Sequence, residues 1–494
     1  MSGGEALEGP LRLGVDIGTS WVKAAVFDGD GAAMAKAGRP LTLDYRCGGR
    51  VEQDPQQVIA HVSAVVAELL QRIPGSGVEL VALTAQGDGC WLTDADGRPT
   101  RTPVSWMDAR AAPVVAEWAA DGTMQKVFDA TGSALFAGAQ AAILRWLAEH
   151  EPASLEGAET AGYCKDMVFT QLTGERGTDP SDASLPFGSP SGDGYCADMI
   201  DACGLTRWSH LLAPVVRPLP HAPLSAKGAE LLGLPAGVPV TCGPYDMPSC
   251  AVGAGSAAVG DGLLVVGTSL AAQVLVDKRP SSGPPSGMTI ATSARDRWLR
   301  IQATMLGCAS LDWLLATLGM THDEIDSALE STPAGADGVE ALPYLAPSGE
   351  RAPFSAPAAT GQLTGIRLTT TRQDLVRALC ESLAFAAREC FEAAERPDEA
   401  RLAVCGGGSR SLPWLRIFAT VLKAPLSVAR LPEVGARGAV LSAMQATGAE
   451  VDLARWTAPS ATIAPDERLT GFYDEAYQRY LAQRQSASTH WRPR

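Results

Sequence analysis

The segment GVDIGTSWVKAAVFD (14–28) has a near copy in LLVVGTSLAAQVLVD (263–277), 249 residues further along a chain of 494. In each, an apolar run meets Gly-Thr-Ser, the apolar pattern resumes, and an Asp follows ten residues after the Gly, at Asp28 and Asp277. A chain of this length exceeds one ordinary core, so the half-length offset predicts two domains of similar design, 1–252 and 253–485. Each copy predicts a β-hairpin around the Gly-Thr-Ser turn. The triplet alone also fits two unrelated tight turns, where Gly and Ser are common. The matching flanks and the offset favour duplication.

The copies differ chemically. The first carries Asp16 before its glycine and Lys23 after it, where the second has Val265 and Ala272. Residues two apart on a strand share a face, so the polar extras gather on one side of the turn. A carboxylate there can organise Mg²⁺ and its waters. Backbone N–H groups and hydroxyls can hold phosphate oxygens, and a lysine offsets their charge. Two phosphate-holding hairpins facing one cleft would explain why apolar strands keep these groups. A Walker loop is excluded, because none of the seven lysines follows a Gly. No G-x-G-x-x-G follows the first strand, which argues against a dinucleotide fold.

A formal charge of −15 argues against a general nucleic-acid binder or a binder of anionic membranes. It leaves room for a small anion held by a local nest of N–H groups. Eleven scattered cysteines form no C-x-x-C pair and six histidines no H-E-x-x-H, so neither a disulfide framework nor a zinc site is expected. The opening MSGGEALEGP has no signal-peptide pattern, and the apolar stretch 262–276 is too short to span a bilayer. A cytoplasmic protein is expected.

Further motifs stand in a defined order: TAQGDGCWLTDADGRP (84–99), VSWMDARA (104–111), LTGERGTDPSDAS (172–184), GPYDMPSCAVGAG (243–255), YLAPSGERAPF (344–354), VCGGGSRSLPW (404–414) and PEVGARGAVLSA (432–443). Together with GVDIGTSWVK and VVGTS they make the chain resemble the FGGY carbohydrate kinases, of the actin, sugar kinase and chaperone ATPase superfamily, over nearly its whole length. The resemblance implies an α/β fold of two ribonuclease-H-like (actin-like ATPase) domains with a cleft between them.

It also implies roles. Asp246 follows the short strand VPVT and opens a small-residue helix. By position it fits a helix cap equally well, and the resemblance makes it the general base, with the helix N-terminus keeping it ionised. The turn in TAQGDGC would expose Gln86 and Asp88 to sugar hydroxyls. Trp106 would wall the substrate or pack in the core. Asp108 would contact substrate or pair internally with Arg110. Asp16 would serve the metal, and Gly18, Thr19, Ser20, Lys23, Gly267 and Thr268 the phosphates. Gly407, Gly408 and Ser411 would take the adenine and ribose side, with the helix after PEVGARG behind the nucleotide. Glu350 and Arg351 are expected to pair and fix a loop near the hinge. Two departures from the family pattern, Thr420 for an Asp and Ala142-Ile143 for a Lys, bear on fine substrate choice.

The reaction implied is transfer of the γ-phosphoryl of MgATP to a hydroxyl of a small sugar or polyol. QGDG and LRWLAEHEP resemble the erythritol and L-xylulose kinase branch, pointing to a four- or five-carbon polyol or ketose. D-xylulose, ribulose or glycerol are the alternatives. A non-catalytic nucleotide-binding regulator on the same fold, or an ATPase of the chaperone type, is the different-class alternative. ATP and Mg²⁺ are the expected cofactors, a small sugar the expected partner, and a homodimer an allowed assembly. The helix LTGFYDEAYQRYLAQRQ (469–485) should close the fold with Tyr473, Tyr477 and Tyr480 on one face, followed by a frayed tail.

Overall fold

The first Gly-Thr-Ser segment does fold into a hairpin, β1 (Leu11–Ile17) and β2 (Trp21–Phe27), followed by the edge strand β3 (Ala33–Pro40). The structure is a computed structural model that describes residues 10–492, apart from 74, 190–191, 281 and 431–432. Expectations placed on the opening nine residues, Pro432 and the last two residues lie outside the described residues. β4 (Val78–Ala85), β5 (His221–Pro223) and β6 (Pro239–Cys242) complete a six-stranded sheet of order β3-β2-β1-β4-β6-β5. β1 and β4 are buried on both faces, which is why they read as near-continuous apolar runs rather than alternating ones.

The second copy begins with β7 (Gly262–Val266) and β8 (Leu270–Val276). β9 (Met288–Ala291), β10 (Trp298–Ala303), β11 (Leu402–Cys405), β12 (Leu426–Val428) and β13 (Ala461–Ile463) join them. The order is β9-β10-β8-β7-β11-β12-β13. Apart from the extra edge strand β9, the two sheets match strand for strand. Three antiparallel strands come first, then two parallel steps, then an antiparallel edge. Both halves are therefore mixed α/β units of one design, the actin-like ATPase fold.

The repeat is not exact. In the first hairpin Ile17 faces Val22 and Gly18 N donates to Trp21 O. In the second, Val266 faces Leu270 and Gly267 N donates to Ser269 O. The second turn is one residue tighter, so Ala272 lies opposite Leu264 rather than at the place that Lys23 holds opposite Asp16.

Five helices matter for the site. α1 (Pro55–Leu70) starts at Asp54, whose carboxylate accepts from Gln56 N, with proline at the first position where its missing N–H costs nothing. α2 (Cys164–Thr173), α3 (Pro180–Phe187) and α4 (Asp246–Gly253) lie in the first half. α5 (Val434–Ala446) comes late in the chain yet packs on the first sheet, against β1, β2 and β4, and crosses α4. The reason is glycine: a Cβ on Gly253 would strike Val434 O, and one on Gly438 would strike Ser249 O. With no side chains at these points, the two backbones approach closely enough to join the halves.

The closing helix α6 (Glu467–Ser488) is longer than its sequence pattern, and Tyr473, Tyr477 and Tyr480 are buried as expected. The tail is not frayed throughout. Trp491 stacks on Phe354, with ring centroids 6.2 Å apart. Among the described residues no helix is long and apolar enough to cross a membrane.

Candidate active site

β1 ends where Asp16 and Lys23 stand directly opposite each other on the hairpin. Cross-strand partners share a face, so the carboxylate and the ammonium project together beside the Gly18–Ser20 turn. Burial pushes the Asp16 carboxyl up to about 6, Lys23 opposes the shift, and Glu433 adds to it. The first turn of α5 touches this point: a Cβ on Gly435 would lie 2.7 Å from Asp16 Oδ2.

β6 delivers Asp246. The strand ends at Cys242, a short turn crosses Gly243-Pro244, and Tyr245 caps α4 with extended backbone while Asp246 takes its first helical position. Asp246 is thus not the cap. Nor does the helix N-terminus alone keep it ionised, as the sequence suggested. Burial, reinforced by the nearby Asp16, pushes its carboxyl to about 8, with the Met247 N–H opposing.

What holds this turn was invisible in the sequence. Tyr245 N donates to Ser181 Oγ at 3.0 Å. Ser181 is the second residue of α3, whose cap Asp179 accepts from Ser181 N. Below lies Lys165, fully buried, its Nζ 2.9 Å from each of Asp166, Asp179 and Asp182 and 3.7 Å from Cys242 Sγ. Three carboxylates hold the ammonium, and it braces both the strand end and the helix that carry the Tyr245-Asp246 turn. The LTGERGTDPSDAS motif could have flagged Asp179 and Asp182, but a lone Lys in CKDMVF carries no recognisable spacing.

The QGDG turn corrects an expectation: Gln86 and Asp88 are not exposed, at 3% and 7% of their surface. Gln86 Nε2 donates to Gln53 Oε1 at 2.7 Å, and Gln53 reaches Thr19 O. Asp88 sits at φ 55°, and its Oδ1 is buried without a hydrogen-bond partner. Burial lifts its carboxyl to about 7, and Arg351 pulls the other way. Tyr245 packs on Gly87, which places Asp88 near the Asp246 turn.

Trp106 is neither plain core nor free wall. Its Nε1 donates to Thr19 Oγ1 at 2.8 Å, tying this loop to the phosphate turn. Asp108 is a correction to the substrate set. Its Oδ1 accepts from Arg110 Nε and its Oδ2 from Val51 N, and Arg110 also reaches Glu52. A fully buried carboxylate so occupied shapes the loop, which was the alternative reading. Glu350 and Arg351 do not pair side chain to side chain. Glu350 Oε1 accepts from Met305 N and Arg351 N, while the Arg351 side chain turns toward Trp106 and Phe136.

On the second half, Gly267 and Thr268 form the tighter turn, with Gly307 N donating to Thr268 O. Gly407 and Gly408 follow β11 in a short turn whose Gly406 has φ 98°. Gly407 is exposed, with open space where a side chain would be. Ser411 caps the next helix, Leu412–Val421, and donates to Asp326.

The donor set suits Mg²⁺ carried largely by water and phosphate oxygens. Asp16 is a partly open carboxyl crowded by Asp246 and Glu433, a repulsion that a divalent cation relieves. Among the described residues no group of three His, Cys, Asp or Glu side chains could hold a metal ion by itself.

Comparison with known proteins follows the same outline. Residues 11–253 match the N-terminal domain, and residues 262–447 the C-terminal domain, described as the FGGY family of carbohydrate kinases. The chain is 31% identical to an erythritol kinase of Brucella abortus, covering 98% of each chain. It is 29% identical to an L-xylulose/3-keto-L-gulonate kinase of Escherichia coli, covering 95% of each. A crystal structure described as a xyloylose kinase from Brucella ovis superposes with a TM-score of 0.86 at 29% identity, covering 96% of this chain and 98% of that one.

Proposed function

We propose that this chain, which belongs to the FGGY family of carbohydrate kinases, transfers the γ-phosphoryl of ATP to a hydroxyl of a four- or five-carbon polyol or ketose. That it is a sugar or polyol kinase follows from the family, and the acceptor and the residue roles are the proposal. One observation carries the roles: Asp246 stands within reach of the charges of both Asp16 and Asp88, all three carboxyls are raised by burial, and the second half of the chain reaches this place through Gly435 at Asp16 and Arg351 at Trp106.

Asp246 takes the proton of the attacking hydroxyl as the new O–P bond forms. Asp88 accepts from a further substrate hydroxyl, which its orphaned Oδ1 suits. Gln86 acts through Gln53 to hold the floor of the sugar pocket, and Trp106 supplies its apolar side. Gly18, Thr19 and Ser20 of the first turn, with Lys23, hold the transferred phosphate. Gly267 and Thr268 hold the others, and Gly407, Gly408 and Ser411 flank the nucleoside. Mg²⁺ arriving with ATP supplies charge that draws phosphate oxygens together and favours the ionised form of nearby carboxyls. Asp16 orients it. The glycine-packed α4–α5 crossing ties the late part of the chain to the first half beside Asp16, and closing the site excludes water.

The test is ADP release from MgATP across C3–C7 polyols, ketoses and aldoses, with Asp246→Asn as the blank. Strong stimulation by a tetritol or ketopentose, lost in the variant, is the expected result. Stimulation confined to glycerol or to hexoses would sink the proposed acceptor class.

A further inference from the structure

Arg351 belongs to the second half of the chain, yet its side chain reaches the first. The guanidinium carbon sits 5.6 Å from the Trp106 ring and 5.6 Å from the Phe136 ring. Nε donates to Ala303 O at 3.0 Å, the only hydrogen bond its side chain donates among the described residues. That bond anchors the fork at the end of β10, and the two ring contacts set the guanidinium nitrogens beside the first half. Around them the first half gathers three loops. Gly89 N donates to Gly138 O, a Cβ on Gly89 would meet Trp106 N, and one on Gly138 would strike Trp106 O. Asp88, Trp106 and Phe136 are therefore held in one wall, with Tyr245 beside Gly87. In this wall Asp88 Oδ1 has no partner, and Arg351 and Asp88 sense each other's charge.

An arginine can only donate, and an ionised carboxylate can only accept. Facing one small ligand rich in hydroxyls, the two divide its oxygens between them. Two aromatic faces hold the guanidinium plane and lower the entropy lost when it binds. We propose that Arg351 is a substrate-contacting residue, brought by the C-terminal half to donate to an acceptor oxygen that lies beside the hydroxyl taken by Asp88. The sugar pocket is then complete only when both halves are in place. This rests on the kinase reading of the site.

The test compares Arg351→Met and Arg351→Lys with the wild type. Kinetics are read on the best acceptor of the polyol and ketose panel. Phenylglyoxal labelling of Arg351, read by peptide mass, is measured with and without erythritol or L-xylulose. Arg351→Met should raise the acceptor KM about tenfold or more, the size expected of a charge-assisted hydrogen bond, while the ATP KM moves little. Arg351→Lys, which keeps the charge but not the fork, should fall between. Erythritol or L-xylulose should slow labelling, and MgATP alone should not. A flat panel with sugar-protected labelling would end the kinase reading and leave Arg351 a ligand contact. An active panel with an unchanged acceptor KM in both variants, folded by their melting temperatures, would overturn the Arg351 proposal alone. A flat panel without protection would overturn both.

Discussion

The indole N–H of Trp106 donates to Thr19 Oγ1 at 2.8 Å, joining the sugar-side loop to the first phosphate turn. A phosphate and a hydroxyl that must meet in line are thus served by two loops that share a bond. Thr19→Val keeps the shape and removes the acceptor. It should raise KM for the sugar as well as for ATP, each by about fivefold for the loss of one neutral hydrogen bond. Steady-state titration of both substrates checks it, and an effect confined to ATP would separate the two loops.

Asp246→Asn keeps the side-chain shape and removes the base. Turnover should fall by about 10³-fold, within the range for a lost general base. ATP affinity, measured by calorimetry, should be nearly unchanged. Residual turnover within a few-fold of wild type would reduce Asp246 to a helix-start residue.

Lys165→Met leaves Asp166, Asp179 and Asp182 buried without their cation. Removing one partner of a buried ionic cluster costs about 3–5 kcal/mol. The melting temperature should drop sharply, and urea should unfold the first half before the second. Unchanged stability would mean that the carboxyls simply take up protons in its place.

Gly438→Ala should destabilise, although alanine in an exposed helix gains about 1 kcal/mol over glycine. Here the added Cβ meets Ser249 O, a backbone atom that can move only if α4 moves. Calorimetry of the variant gives the sign, and a stabilised protein would show that the crossing is looser than its glycines imply.

Glu350 supplies a pH dependence. Burial pushes its carboxyl up to about 7, against three backbone N–H groups that favour the charge. The folded state then holds a proton that the unfolded chain has lost. Stability from this group is present below the unfolded value and is lost as pH rises through about 7. Glu350→Gln should flatten the fall in melting temperature between pH 4.5 and pH 7. An unaltered slope would place the titration elsewhere.

Much of the fold was legible because its causes are local. Apolar runs broken by Gly-Thr-Ser are hairpins wherever they occur, and their recurrence after 249 residues foretold two sheets of one topology. Asp16, Lys23 and Asp246 stood out because strand and helix-start positions seldom carry such charges without cause. Other features depend on residues far apart in sequence. Lys165 meets Asp179 and Asp182 only when α2 and α3 pack together. Arg351 crosses from the second half to Trp106, 245 positions earlier. Asp108 is drawn away from the substrate because Val51 and Arg110 arrive first. Gly253 and Gly438 read as ordinary small residues until two helices cross at them. Local pattern determined which groups carry charge and where strands turn. Tertiary packing alone decided which of those groups are buried, which are already satisfied, and which remain free to meet a substrate, because desolvation and hydrogen-bond partners are set by neighbours in space.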